Sequence, residues 1–223
     1  MAAKPGERKL QILQTVAHML EQPKGEKITT AALAARLELS EAALYRHFAS
    51  KAQMFEGLIE FIEQTVFGLI NKITQEEKSG VQQADAIVAL LLGFAQKNRG
   101  MTRVLIGDAL VNEDERLQAR INQLLDRIEA TLKQSLRIAA TQGEMGEAVG
   151  GQAQDALASG REMPPSSPSR TAAARTVSGE DISAHANLLL CYVIGRWQQF
   201  GKSGFTRDPL TGWAAQRAIL LGK

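Results

Sequence analysis

Ser40, Glu41, Tyr45, Arg46, His47 and Lys51 fall within one stretch, SEAALYRHFASK, residues 40–51. A hydroxyl, a carboxylate, a phenol and an imidazole this close together invite general acid–base chemistry, in which a positioned side chain moves a proton. The same donors and cations on an exposed helix would instead hold phosphate oxygens and fix a protein on a duplex. The elements on either side decide between the two.

The wider inventory argues against catalysis. The three histidines, His18, His47 and His185, are scattered over separate helical segments. No pair of carboxylates flanks an evident cleft, and no Gly-rich phosphate loop is present. The expectation is a protein that is not an enzyme and uses no metal or cofactor. Cys191 is the one cysteine. A single thiol makes neither an internal disulfide nor a cysteine metal cluster, so the reading is a reduced intracellular protein with a buried thiol. The longest apolar run, AIVALLLGFA at 86–95, is about half of the ~20 residues that a membrane span needs. The N-terminal MAAKPGERK lacks the apolar segment of a secretory signal. The expected setting is the cytoplasm, without a membrane anchor.

The chain is 44% hydrophobic but only 5% aromatic, which suits an Ala/Leu-rich helical protein better than a sheet protein. The formal net charge is only +2, so its distribution matters more. Residues 1–51 hold eight Lys/Arg against five Asp/Glu, and the remainder 18 against 19. The positive excess is N-terminal, where nucleic acid would use it.

Apolar spacing predicts an all-α chain of about nine helices. The first covers 7–21 and ends at Pro23-Lys24-Gly25. Thr29 or Thr30 caps a short second helix and Ser40 a third, with Leu44 and Phe48 on one face. Ser50 caps a long helix through 78. Further helices are expected at 81–98, 101–112, 114–140, 180–200 and 210–221. The 81–98 helix is apolar nearly all round and is expected at the centre. Residues 141–179, rich in Gly, Ala, Ser and Pro with no aromatic and no isoleucine, read as a disordered loop or linker. No strand or internal repeat is evident.

Two short helices joined by a tight turn behind a longer one form a helix-turn-helix. Its second helix lies in the major groove with its first residues at the base edges. Ala42 and Ala43 give clearance there, and a methyl packs on a thymine methyl. Ser40 and Glu41 could meet bases or phosphates. Tyr45 and His47 would face a phosphate backbone, and Lys51 would add charge to it. Taken alone, Tyr45 and His47 could equally be packing and capping groups. Glu38 stands in the turn where Gly is common.

At these residues a resemblance is plain. ITTAALAARLELSEAALYRHFASKAQMF resembles the N-terminal domain of the TetR family of transcriptional regulators, over about residues 7–66. The resemblance implies a DNA-binding domain at 6–66, with Thr29, Thr30, Ser40, Glu41, Ala42, Ala43, Tyr45, Arg46, His47 and Lys51 at double-stranded palindromic DNA. It implies a helical dimerisation and partner-binding domain at 67–223. The homodimer would form through the last two helices, about 180–204 and 209–221.

The segments EAALYRHF, LIEFIE, LLLGFAQKN, GMTRVL and RLQARINQLLDRIEA are similar to one branch of that family, over about residues 7–140. The branch implies binding to palindromes dispersed over the chromosome and to the C-terminal tail of the tubulin-like division protein FtsZ. Bound to DNA, such proteins antagonise FtsZ polymers and keep division rings from closing over the nucleoid. The implied tail groove holds Phe61, Leu69, Leu90, Gly93, Lys97 and Asn98, between the helix from Lys51 and the one after Val81. Gly93 costs its helix about 1 kcal/mol relative to Ala. It is read as room for a peptide or as close helix packing, with Lys97 and Arg99 on the rim. Leu69 stands where relatives can carry a basic residue and Lys97 where they can carry Arg, whose bidentate fork Lys lacks. The 141–179 insert is longer than the resemblance leads one to expect. The shared fold leaves a second function open, a ligand-responsive TetR-type repressor with a small-molecule cavity among its central helices.

Overall fold

The computed structural model describes residues 5–22, 28–145 and 178–222. Those residues form nine α-helices and no strand: α1 Pro5–Leu20, α2 Thr30–Arg36, α3 Glu41–Tyr45, α4 Lys51–Glu76, α5 Gly80–Lys97, α6 Arg99–Leu105, α7 Glu115–Thr141, α8 Gly179–Lys202 and α9 Trp213–Leu221. A single 3-10 turn, Asp108–Leu110, precedes α7. The fold is all-α, as the spacing predicts.

Side-chain caps set most of the helix starts. Thr29, Ser40, Ser50 and Ser79 each accept the backbone N–H three residues ahead, all at 3.1 Å. Each satisfies a donor that the first turn would leave unpaired, and is worth about 1 kcal/mol. Ser178 and Asp181 make a reciprocal capping box on α8. Asp114 caps α7, and its hydrogen bond with the Arg116 guanidinium holds that carboxyl down at about 2. The α2–α3 turn closes on Glu38, whose φ of 54° is left-handed. A residue with a Cβ takes that conformation at a cost of roughly 1–2 kcal/mol.

Most boundaries agree within two residues, and three differences have a local cause or bear on the insert. α6 starts at Arg99, because the Asn98 carbonyl accepts both the Thr102 N–H and the Thr102 hydroxyl, at 2.9 and 3.0 Å. It stops before Gly107, at φ 77°. α9 starts only at Trp213. Before it, the Arg196 guanidinium donates to the carbonyls of Asp208, Pro209 and Thr211 at 2.8–3.0 Å and keeps that stretch a loop. At the insert, helix structure reaches Thr141 and resumes at Gly179. The expectation of disorder falls on residues 146–177, and the stop at Pro23-Lys24-Gly25 on 23–27; both lie outside the described residues.

Cys191 overturns the expectation of a buried thiol. It is exposed and donates to Asn187 Oδ1 at 3.6 Å. The buried side of α8 carries Leu189, Leu190, Val193 and Trp197, whereas Ala184, Leu188, Cys191 and Gly195 recur at helical spacing on its outer side.

α5 is the central helix, as expected. Ile87, Val88, Leu91, Leu92 and Ala95 are fully buried among α4, α7 and α8. Trp197 of α8 is also buried, and its indole N–H donates to the Leu91 carbonyl at 3.0 Å. Arg120 of α7 pairs with Glu63 of α4 at 2.7 Å. Trp213 and Arg217 of α9 both bond Asp85 of α5, at 3.0 and 3.1 Å.

Two glycines permit backbone contact between helices. A Cβ on Gly80 would lie 2.2 Å from Ala139 N, and one on Gly100 would lie 1.8 Å from the Ala17 carbonyl oxygen. The second contact joins α6 to α1, and so the body to the N-terminal helices. A Cβ on Gly93, by contrast, meets nothing nearer than Leu210 Cδ1 at 4.0 Å. Gly100→Ala is expected to lower the unfolding free energy by at least about 1–3 kcal/mol, the usual range for overpacking. Gly93→Ala should raise it by up to about 1 kcal/mol. Urea unfolding followed by circular dichroism checks both signs; equal midpoints for the two variants would contradict the packing described.

Candidate nucleic-acid interface and partner groove

The residues expected at DNA gather at α2 and α3. Ala42 is exposed, Ala43 is half-buried and Leu44 is fully buried, so α3 turns its small residues outward and anchors itself from behind. The Thr29 and Ser40 hydroxyl oxygens accept cap bonds. Each O–H remains able to donate to a phosphate oxygen. Arg46 follows α3 on the surface and meets no carboxylate among the described residues.

A polar chain ties the two helices together. The Thr30 hydroxyl donates to Glu41 Oε2 at 2.7 Å, and the Tyr45 hydroxyl donates to Thr30 Oγ1 at 3.5 Å. Glu41 is therefore occupied within the protein, and its carboxylate aligns α3 against the start of α2. Tyr45 remains 45% exposed. His47 is half-buried in the turn after α3, next to Phe48, whose ring is buried and lies 5.7 Å below Lys9 Nζ.

Lys51 holds an unexpected partner. Its ammonium makes a salt bridge with the Glu113 carboxylate, both side chains being mostly covered, at 24% and 17% exposure. Glu113 lies in the loop before α7, so this pair is a second tie between the reading head and the body. No periodicity signals it: the two residues are far apart in sequence and Glu113 sits in a loop.

The partner-groove residues are spread along α4 and α5. These helices are joined by a short turn and run antiparallel, which places the Phe61 level of α4 opposite the C-terminal turns of α5. Phe61 and Leu90 are half-buried against the core, and Leu69 is 43% exposed. Gly93 and Lys97 are four apart on α5 and share a face, with Lys97 exposed. Asn98 is drawn inward, its amide donating to the Phe94 carbonyl at 2.8 Å. The space beside Gly93 is bounded by Leu210, which the sequence reading did not select. The α8–α9 loop is held there by Gln96 Nε2, which donates to Asp208 Oδ2 at 2.6 Å. The apolar spacing places that leucine in the last expected helix, 210–221, whereas the helix starts only at Trp213.

Among the described residues, no group of three His, Cys, Asp or Glu is placed to hold a metal, and no helix is long and apolar enough to cross a membrane. What the arrangement can do is present small residues, hydroxyls and cations at one end, and the half-buried Phe61 and Leu90, the exposed Leu69 and the exposed Lys97 along the body.

Comparison with known proteins gives this geometry its setting. Residues 18–58 match the family described as bacterial regulatory proteins, tetR family. Residues 78–155 match the SlmA-like family described as tetracyclin repressor-like, C-terminal domain. A solved structure of the transcriptional regulator FadR from Bacillus subtilis, in complex with stearoyl-CoA, superposes with a TM-score of 0.65 over 95% of this chain and 97% of that one, at 10% identity. At that identity the likeness concerns the fold alone. The nucleoid occlusion factor SlmA of Marinomonas sp. is 41% identical over 220 residues, covering 99% of this chain and 96% of that protein. The nucleoid occlusion factor SlmA of Alteromonas mediterranea is 46% identical over 224 residues, covering 99% of each chain. With helix-turn-helix and body matched together from end to end, the chain belongs to the SlmA family of nucleoid occlusion factors, built on a TetR-type fold.

Proposed function

We propose that this protein is a nucleoid-associated DNA-binding factor that, seated on chromosomal palindromes, binds the C-terminal tail of FtsZ and antagonises its polymers, so that no septum forms over the nucleoid. Residues 6–66 act as the DNA-binding domain and 67–223 as the dimerisation and partner-binding domain. The observation that carries the reading is the full-length likeness to nucleoid occlusion factors. Gly93 lends local support. A glycine inside a helix weakens it, and here no neighbouring backbone or side chain needs the space. A bound peptide would use it.

The homodimer forms through α8 and α9. Leu188 is 51% exposed and Ile219 83% exposed on these helices, beside Cys191, Ala184 and Gly195. A monomer would leave that stripe in water. The dimer's two-fold symmetry then matches a palindrome, one α3 per half-site. The interior between α4 and α8 is filled by Ile87, Val88, Leu91 and Trp197, which disfavours the alternative of a ligand-responsive repressor holding its effector there.

On DNA, a phosphate competes with Glu113 for Lys51. Glu113→Gln is expected to tighten binding by about two- to fivefold, the scale of one partly exposed ion pair. Lys51→Ala should weaken binding to all sequences and lower the salt slope by about 1. Tyr45→Ala should weaken binding with a smaller change in slope, since the phenol is uncharged. Fluorescence anisotropy on a labelled palindrome across a salt series reads all three; equal affinities throughout would refute the phosphate assignments.

The division activity is read by sedimenting FtsZ polymers with GTP, palindromic DNA and the protein. Wild type should reduce the pelleted polymer. Gly93→Ala, folded and bound to DNA, should leave the polymers intact. Unchanged polymers with wild type, together with no binding of the tail peptide, would refute the proposal.

A further inference from the structure

The C-terminal end of α8 and the loop after it enclose an open cavity of about 420 Å³, lined by Gln198, Gln199, Lys202, Ser203 and Arg207. Both cations are exposed, and neither meets a carboxylate among the described residues. Asp208, which follows Arg207, is already occupied by Gln96 and by the Leu210 N–H, at 2.6 and 2.8 Å.

The loop that presents Arg207 is firmly built. Ser203 Oγ accepts the N–H groups of Thr206 and Arg207 at 3.2 and 3.0 Å and donates to the Phe200 carbonyl at 2.9 Å. Gly204 and Phe205 both have left-handed φ, 64° and 65°. The Phe205 ring is buried, edge-on to Phe200 at 5.0 Å and beneath the guanidiniums of Arg99 and Arg103, at 6.0 and 5.5 Å. Phe205 thus anchors the turn, and Arg207 is projected from a fixed base.

The loop that carries Arg207 is tied to α5 close to Gly93. Gln96 precedes Lys97 and bonds to Asp208, which follows Arg207. Lys97 and Arg207 are thus the chain neighbours of the two residues in one hydrogen bond, and Leu210 of the same loop lies 4.0 Å from a Cβ placed on Gly93. We propose that this cavity is a second anchoring point for an acidic partner peptide, taking its carboxylates on Arg207 and Lys202 while its apolar part lies over Gly93. The proposal rests on the reading of Gly93 and its neighbours as the tail groove. On this proposal, charge that one Arg would concentrate at the rim is spread over three side chains.

The experiment measures anisotropy of a labelled peptide of the FtsZ C-terminal tail, and of the same peptide with its carboxylates amidated, on full-length dimer. Each exposed cation is expected to contribute about two- to fivefold, so the double variant Lys202→Gln/Arg207→Gln should bind the acidic peptide about tenfold more weakly, with a shallower salt dependence. The amidated peptide should bind wild type and double variant alike, and thermal unfolding should be unchanged. Wild-type affinity in the double variant overturns the proposal while leaving the groove intact. Failure of wild type to bind the peptide at all overturns the groove reading itself, and this proposal with it. Unchanged peptide binding with a loss of DNA affinity in the double variant assigns the two cations to phosphate and overturns the proposal.

Discussion

Gly100 lets α6 lie backbone to backbone against α1, so closely that a single methyl there would overlap the Ala17 carbonyl. That contact, together with the unbroken α4, joins the reading head to the body. α1 supports the helix-turn-helix through Ile12 and Val16, both fully buried, and α6 is continuous with the loop that carries Glu113. The Lys51–Glu113 salt bridge closes the same connection from the other side. With both ties in place, the position of α3 on DNA determines where the body sits.

The body is built so that its surfaces stay distinct. Its interior is occupied by the apolar side of α5 and by Trp197, leaving the Gly93 and Lys97 side of α5 to the surface. The outer side of α8 carries the apolar stripe that suits a second copy, and its end and the loop after it carry Lys202 and Arg207, which meet no carboxylate among the described residues. The helix-turn-helix, the exposed stripe of α8 and the proposed groove thus lie on different parts of one helical frame. A protein that must hold DNA and a second macromolecule at once needs that separation, and a chain that buried an effector in its core would not.

Much of this was legible in the residues themselves. Hydroxyl caps at Thr29, Ser40, Ser50 and Ser79 mark helix starts by chemistry local to a single turn, and the apolar run at 86–95 marks the central helix by its lack of a polar side. What escaped depends on partners distant in the chain. Cys191 lies in an apolar run whose outward side only the packing of α8 reveals. The start of α6 depends on a carbonyl that Thr102 bonds twice. The bound state of Lys51 depends on Glu113, and the wall of the groove on Leu210, each brought into place by tertiary contacts with no periodic signature. The resemblance supplied the groove residues themselves; the space beside Gly93 does not select it, since Gly68 and Gly195 on α4 and α8 are open as well.

The account holds that DNA and partner occupy separate surfaces of one dimer at the same time. Sedimentation velocity on the dimer, with a palindromic duplex and the FtsZ tail peptide carrying different fluorophores, tests this most directly. The account predicts that both labels move in a single boundary, with one peptide per protomer retained on DNA. Displacement of the peptide by the duplex, or of the duplex by the peptide, would contradict it.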